Sequence, residues 1–136
     1  MKPNFALALM FALFCLIAVR ADTVHVPKPG SAERKAIMDA IRLDTKAAFK
    51  GKDVVFLVAH LKVHNGWAWV MAEPQDRKSG QGLADGGEWL LQLKNGSWKC
   101  IQFAEILEAF YEDGRGYDDF VKKIRKTRPE IPADIF

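Results

Sequence analysis

Two Asn-Gly dipeptides, Asn65-Gly66 and Asn95-Gly96, constrain this chain more than any other feature. A two-residue type I′ turn needs positive φ at both central residues, and Asn-Gly meets that need at little steric cost. Each dipeptide lies between runs with the apolar character of strands. Val54–His64 therefore returns as Trp67–Glu73, and Glu88–Lys94 returns as Ser97–Phe103. Between the hairpins, Pro74–Gly87 reads as a polar loop holding four glycines. Four strands joined in series make an antiparallel meander, which buries a face against a helix.

That helix precedes the strands. Pro27 and Pro29 keep residues 22–29 extended, Ser31 is placed to cap, and Glu33 lies in the first turn, where the helix dipole favours negative charge. Ile37, Ala40 and Ile41 recur at helical spacing, with Arg34, Lys35, Asp39 and Arg42 on the wetter side. The pattern predicts a helix from Ala32 to Thr45, or on to Phe49, closed by Gly51. After the hairpins, Glu105–Tyr111 and Tyr117–Lys126 read as short helices. The tail from Pro129 carries Ile131, Ile135 and Phe136 and is expected to pack back onto the domain. The predicted fold is α+β: an N-terminal helix packed on a four-stranded antiparallel meander, with short C-terminal helices.

Met1-Lys2-Pro3-Asn4 followed by an apolar run from Phe5 to Val19 has the form of a secretion signal. The run is shorter than the ~20 residues that span a bilayer as a helix, and Arg20 interrupts it. Cleavage after Ala21 is expected, leaving one domain, 22–136, that is periplasmic or secreted and has no stable membrane span. A retained short anchor is the alternative. A lipoprotein is disfavoured, because Cys15 follows Phe14 where small residues would be needed. Without Lys2 and Arg20, eighteen basic residues face seventeen acidic ones, a net charge of +1. Such a balance gives no footprint for nucleic acid. The shortened chain keeps one cysteine, Cys100, so its fold rests on packing rather than on an internal disulfide.

The order of elements resembles the cystatin/NTF2-like α+β roll. The carrying residues are the run Gly30–Arg42, Val55-Phe56-Leu57-Val58, Leu61, Val63, Trp67-Ala68, Val70, Pro74-Gln75 and Trp98. In these residues the chain also resembles a group of small exported bacterial proteins of unknown function. The resemblance implies a fold and a compartment. It transfers no catalytic residue, since the wider roll class holds enzymes and binding modules alike.

The first hairpin sorts its side chains by face. A two-residue turn pairs His64 with Trp67, Lys62 with Trp69 and His60 with Met71. Strict alternation then assigns Val55, Leu57, Ala59, Leu61, Val63, Ala68, Val70 and Ala72 to the core. The opposite face carries Phe56, Val58, His60, Lys62, His64, Trp67, Trp69 and Met71. Indole faces beside hydrogen-bonding groups suit a sugar, a cation or a protein partner, so Phe56, His60, Lys62, His64, Trp67 and Trp69 are the candidate ligand-binding residues. The alternative is that the C-terminal segment folds over this face and buries it.

Other candidates are weaker. His60 and His64 stand about 13 Å apart along one strand and cannot converge on one metal ion, so no metal site is expected. Cys100, opposite Leu91, reads as a buried, inert thiol. Glu105, Glu108, Glu112, Asp113, Asp118 and Asp119 read as solvated helix faces. Gly80, Gly82, Gly86 and Gly87 form no phosphate loop, and no cofactor is implied. The catalytic residues are unknown. The favoured function is a non-catalytic module that binds an envelope protein or glycan. Two alternatives stand beside it: a small enzyme with a pocket between sheet and helix and His60 as its acid-base group, and an inhibitor or immunity protein of an envelope-acting enzyme. The composition also permits a homodimer through an open sheet face.

Overall fold

The computed structural model describes residues 22–103 and 116–136. It contains the helix α1 (Ala32–Asp44), the strands β1 (Val54–His64), β2 (Trp67–Asp76), β3 (Gly87–Lys94) and β4 (Ser97–Ile101), the helix α2 (Tyr117–Thr127) and a 3-10 turn at Ala133–Ile135. The sheet is an antiparallel meander in the order β1-β2-β3-β4. The predicted α+β class and helix-on-meander arrangement are thus observed, with α1 lying against β4. The predicted helix at Glu105–Tyr111 and the acidic residues from Glu105 to Asp113 lie outside the described residues.

Local chemistry accounts for the elements. Ser31 caps α1 by accepting from the Arg34 N–H at 3.2 Å, and Glu33 and Arg42 sit at the dipole ends that favour them. The helix stops at Asp44, short of Phe49. Both Asn-Gly turns have positive φ at each central residue: 48° and 71° at Asn65 and Gly66, 50° and 75° at Asn95 and Gly96. β2 runs past Glu73 to Asp76, so the following loop is shorter than its composition implies. Pro74 is accommodated because a proline withholds only a donor, while its carbonyl still accepts from the Leu83 N–H at 2.8 Å.

The core lies on both sides of the sheet. On one side α1 presents Ile37, Met38 and Ile41 to Leu61, Val63, Ala68, Val70, Leu91 and Trp98. On the other, α2 and the tail bring Phe120, Ile124, Ile131 and Ile135 onto Trp67, Trp69 and Leu90. The chain is therefore layered helix, sheet, helix-plus-tail.

Strict alternation fails at one point. Val58 pairs with Ala72 and His60 with Met71, so Ala59 is an extra residue, a β-bulge. A bulge reverses the phase of the strand before it. Phe56 and Val58 consequently join the α1 side with Leu61 and Val63. Val55, Leu57 and Ala59, expected in the core, are not in it; Leu57 is 53% exposed. Phe56 leaves the tryptophan face and meets the ring of Trp89 edge-on, with centroids 5.7 Å apart.

This phase reversal has a measurable consequence. Ile41→Ala and Ile135→Ala, both at fully buried positions, are each expected to cost about 2–5 kcal/mol in urea unfolding. Leu57→Ala is expected to cost about 0.5 kcal/mol or less. A cost for Leu57→Ala equal to that for Ile41→Ala would remove the bulge.

Candidate functional site

The hairpin register brings five of the six sequence-predicted residues together. His60, Lys62 and His64 line up on β1 opposite Met71, Trp69 and Trp67 on β2. Phe56 is the residue it does not bring there. The face is covered rather than open: Trp67 is 3% exposed and Trp69 is fully buried. Phe103, Phe120 and Phe136 surround Trp69 with ring centroids 5.4, 5.8 and 5.1 Å away.

The cover is fastened by the polar side chains of β1. The His60 Nε2–H donates to the Ile135 carbonyl at 2.7 Å. Lys62 Nζ donates to the Phe136 main-chain oxygen at 3.4 Å. The His64 Nδ1–H donates to Asp134 Oδ1 at 2.8 Å. His60 thus spends its donor on a main-chain carbonyl, and the Asp134 carboxylate engages His64 instead. One donor is left over. Trp69 Nε1 is the one buried side-chain nitrogen or oxygen without a hydrogen-bond partner among the described residues. Leaving such a donor unmatched costs about 1–3 kcal/mol.

Cys100 is partly buried, and burial, with a smaller contribution from the Asp44 charge, pushes its thiol up to about 12. It is a protonated, poor nucleophile at neutral pH. Among the described residues no three His, Cys, Asp or Glu side chains are grouped to hold a metal ion.

A second site emerges from the fold. A cleft of about 720 Å³ opens between the outer side of α1, the turn that follows it, the start of β1 and the end of β2. Six cations line it, Lys35, Arg42, Lys46, Lys50, Lys52 and Arg77, against two carboxylates, Asp39 and Asp53. Phe49 and Val54 add apolar surface. The turn is organised by main-chain bonds from Phe49 N–H to the Thr45 carbonyl (3.2 Å) and from Lys52 N–H to the Phe49 carbonyl (3.0 Å). Gly51, at φ 79°, lets the chain double back into β1. The Arg77 N–H donates to the Asp53 carbonyl at 2.8 Å and pins the far wall to β1.

The carboxylates neutralise only part of this charge. Asp39 is shared by Lys35 and Arg42, and the Lys35 hydrogen bond is the main cause of its lowered pKa. Asp53 holds Arg77 at 3.1 Å. Lys46, Lys50 and Lys52 make no ion pair among the described residues. The sequence signal for this cleft was the spacing of Lys46, Lys50 and Lys52 around Gly51. The near-neutral total charge obscured it.

No family model, curated protein or solved structure matches this chain.

The histidines predict how stability depends on pH. His64 is raised above its ordinary 6.5 chiefly by the bond to Asp134. His25 is raised chiefly by the Thr23 carbonyl, then by Glu33 at 2.8 Å. A folded-state pKa above the unfolded value stabilises fully below the unfolded pKa, and that stabilisation is lost as pH rises through the folded value. The double variant His25→Gln/His64→Gln should therefore melt modestly below the parent at about pH 5.5, as pairs this exposed allow, with the gap narrowing by about pH 8.5. A gap independent of pH would show that neither pair forms.

Proposed function

We propose that this chain is an exported, non-catalytic binding module that takes an anionic ligand in the cleft between α1 and the β1-β2 end of the sheet. The observation that carries this reading is the imbalance of charge, six cations around one cleft against two carboxylates. Elsewhere the chain is nearly balanced, so the field is concentrated where the surface is concave, and concave surfaces focus it further. Arg42 and Arg77 offer planar forks suited to phosphate or carboxylate, while Lys46, Lys50 and Lys52 act as mobile point charges. Phe49 gives a sugar ring or an alkyl segment something to rest on.

Export is read from residues 1–21, and the α+β layout agrees with the resemblance to small exported bacterial proteins of the cystatin/NTF2-like roll. The ligand class that suits this compartment and this cleft is an anionic glycan or a phosphate-bearing envelope polymer. A non-catalytic role is supported by the two groups that chemistry would call on first. His60 is committed to the Ile135 carbonyl, and the Cys100 thiol stays protonated.

The test is titration with short-chain inorganic polyphosphate, with neutral dextran as control. Binding should weaken steeply as salt is raised, because association releases counter-ions from the polyanion. The variant Lys46→Glu/Lys50→Glu/Lys52→Glu should lose roughly tenfold or more in affinity while melting as the parent does. Equal affinity in parent and variant, or binding indifferent to salt, would exclude the cleft as the site.

A further inference from the structure

We propose that the covered face of the sheet is a second binding site, distinct from the basic cleft, for a free long-chain carboxylate, and that residues 131–136 occupy it in the ligand's absence. Three observations converge on this. The first is the Trp69 indole N–H, fully buried and without a hydrogen-bond partner among the described residues. A native interior matches nearly all its donors, so an orphan at the centre of an aromatic pocket marks a place where an acceptor belongs. Lys62 is the β1 residue paired with Trp69, so its ammonium and the indole belong to one face of the sheet; the Phe136 oxygen now on that ammonium leaves the indole unmatched.

The second is the chemistry of the present occupant. Ile135 and Phe136 fill the apolar space over the tryptophans, while the Asp134 carboxylate, the Ile135 carbonyl and the Phe136 main-chain oxygen take the donors of His64, His60 and Lys62 respectively. An apolar body carrying acceptor oxygens is also the description of an amphiphile with a carboxylate head. His60, Lys62 and His64 project at alternate positions of one strand, so they form a continuous row of donors for that head.

The third is how the occupant is attached. The segment contributes no strand to the sheet, and its links to β1 are side-chain bonds to its oxygens. Displacing it breaks no ladder. It does expose apolar surface, so only a ligand that brings its own apolar chain can take its place, which selects a long-chain carboxylate over a small anion.

The experiment follows the four indole N–H resonances in a nitrogen-15 spectrum of the full chain during titration with dodecanoate below its micellar range. Acetate supplies the head alone and dodecanol the chain alone. Dodecanoate should move the Trp69 indole proton downfield, as a new hydrogen bond requires, and neither control should match it. Asp134→Asn, which loosens the strap, should tighten dodecanoate binding about two- to fivefold, the range that losing one exposed ion pair allows. Lys62→Met should weaken it about tenfold or more. The Lys46→Glu/Lys50→Glu/Lys52→Glu variant should bind dodecanoate as the parent does, which keeps this site independent of the basic cleft. An unmoved Trp69 resonance overturns the proposal. So does equal affinity in parent, Asp134→Asn and Lys62→Met. Binding to phosphatidylglycerol vesicles without binding to dodecanoate would also overturn it, because the site would then read a lipid surface rather than a free carboxylate.

Discussion

The turn at Asn65-Gly66 sets the register of β1 against β2, and both covered faces of the sheet follow from that register. With His64 opposite Trp67 and Lys62 opposite Trp69, two of the three donors on the outer side of β1 are placed beside an indole, and His60 stands opposite Met71. The inner side of the same residues holds Leu61, Val63, Ala68 and Val70 for α1. A slip of one residue would exchange these sets and put lysine and histidine under the helix, where a buried, unpaired polar group is costly. The second turn, Asn95-Gly96, extends the arrangement by placing Leu91 and Trp98 on the α1 side and Leu90 on the other.

Two faces to cover require two covers. Ala68 and Ala72 on the inner face are small, which lets α1 approach closely with Ile37 and Ile41. The outer face carries large indoles, and a short helix alone does not shield them. Phe120 and Ile124 of α2 are joined there by Ile131, Ile135 and Phe136 from beyond its end. His60 then satisfies the carbonyl of the buried Ile135, and Lys62 and His64 hold oxygens of Phe136 and Asp134 at the more open edge of the cover. The basic cleft lies at the far end of the hairpin from this cover, where α1 has ended and the chain turns back through Gly51.

Much of this was legible in residues. Asn-Gly gave the turns, the turns gave the pairing of His60, Lys62 and His64 with their partners, and Ser31 with Glu33 marked the start of α1. The bulge at Ala59 was not legible, because Val54-Val55-Phe56-Leu57-Val58-Ala59 is apolar at every position and carries no phase for alternation to reveal. The tail's return was legible from Ile131, Ile135 and Phe136, and the tryptophan face was one destination the residues offered; whether that face stays open or is covered is decided only by the fold. The cleft was hidden for a different reason. Lys35 and Arg42, the lysines around Gly51, and Arg77 are distant in sequence and converge only when the end of α1 meets the β1-β2 end of the sheet.

Solvent exchange of the Trp69 indole proton in the untreated protein tests the covered face most directly. Full burial beneath Phe103, Phe120 and Phe136 predicts exchange only through opening of the C-terminal cover, slower than at a free indole by orders of magnitude. Exchange at the rate of a free indole would contradict the cover and, with it, the placement of the C-terminal segment on the sheet.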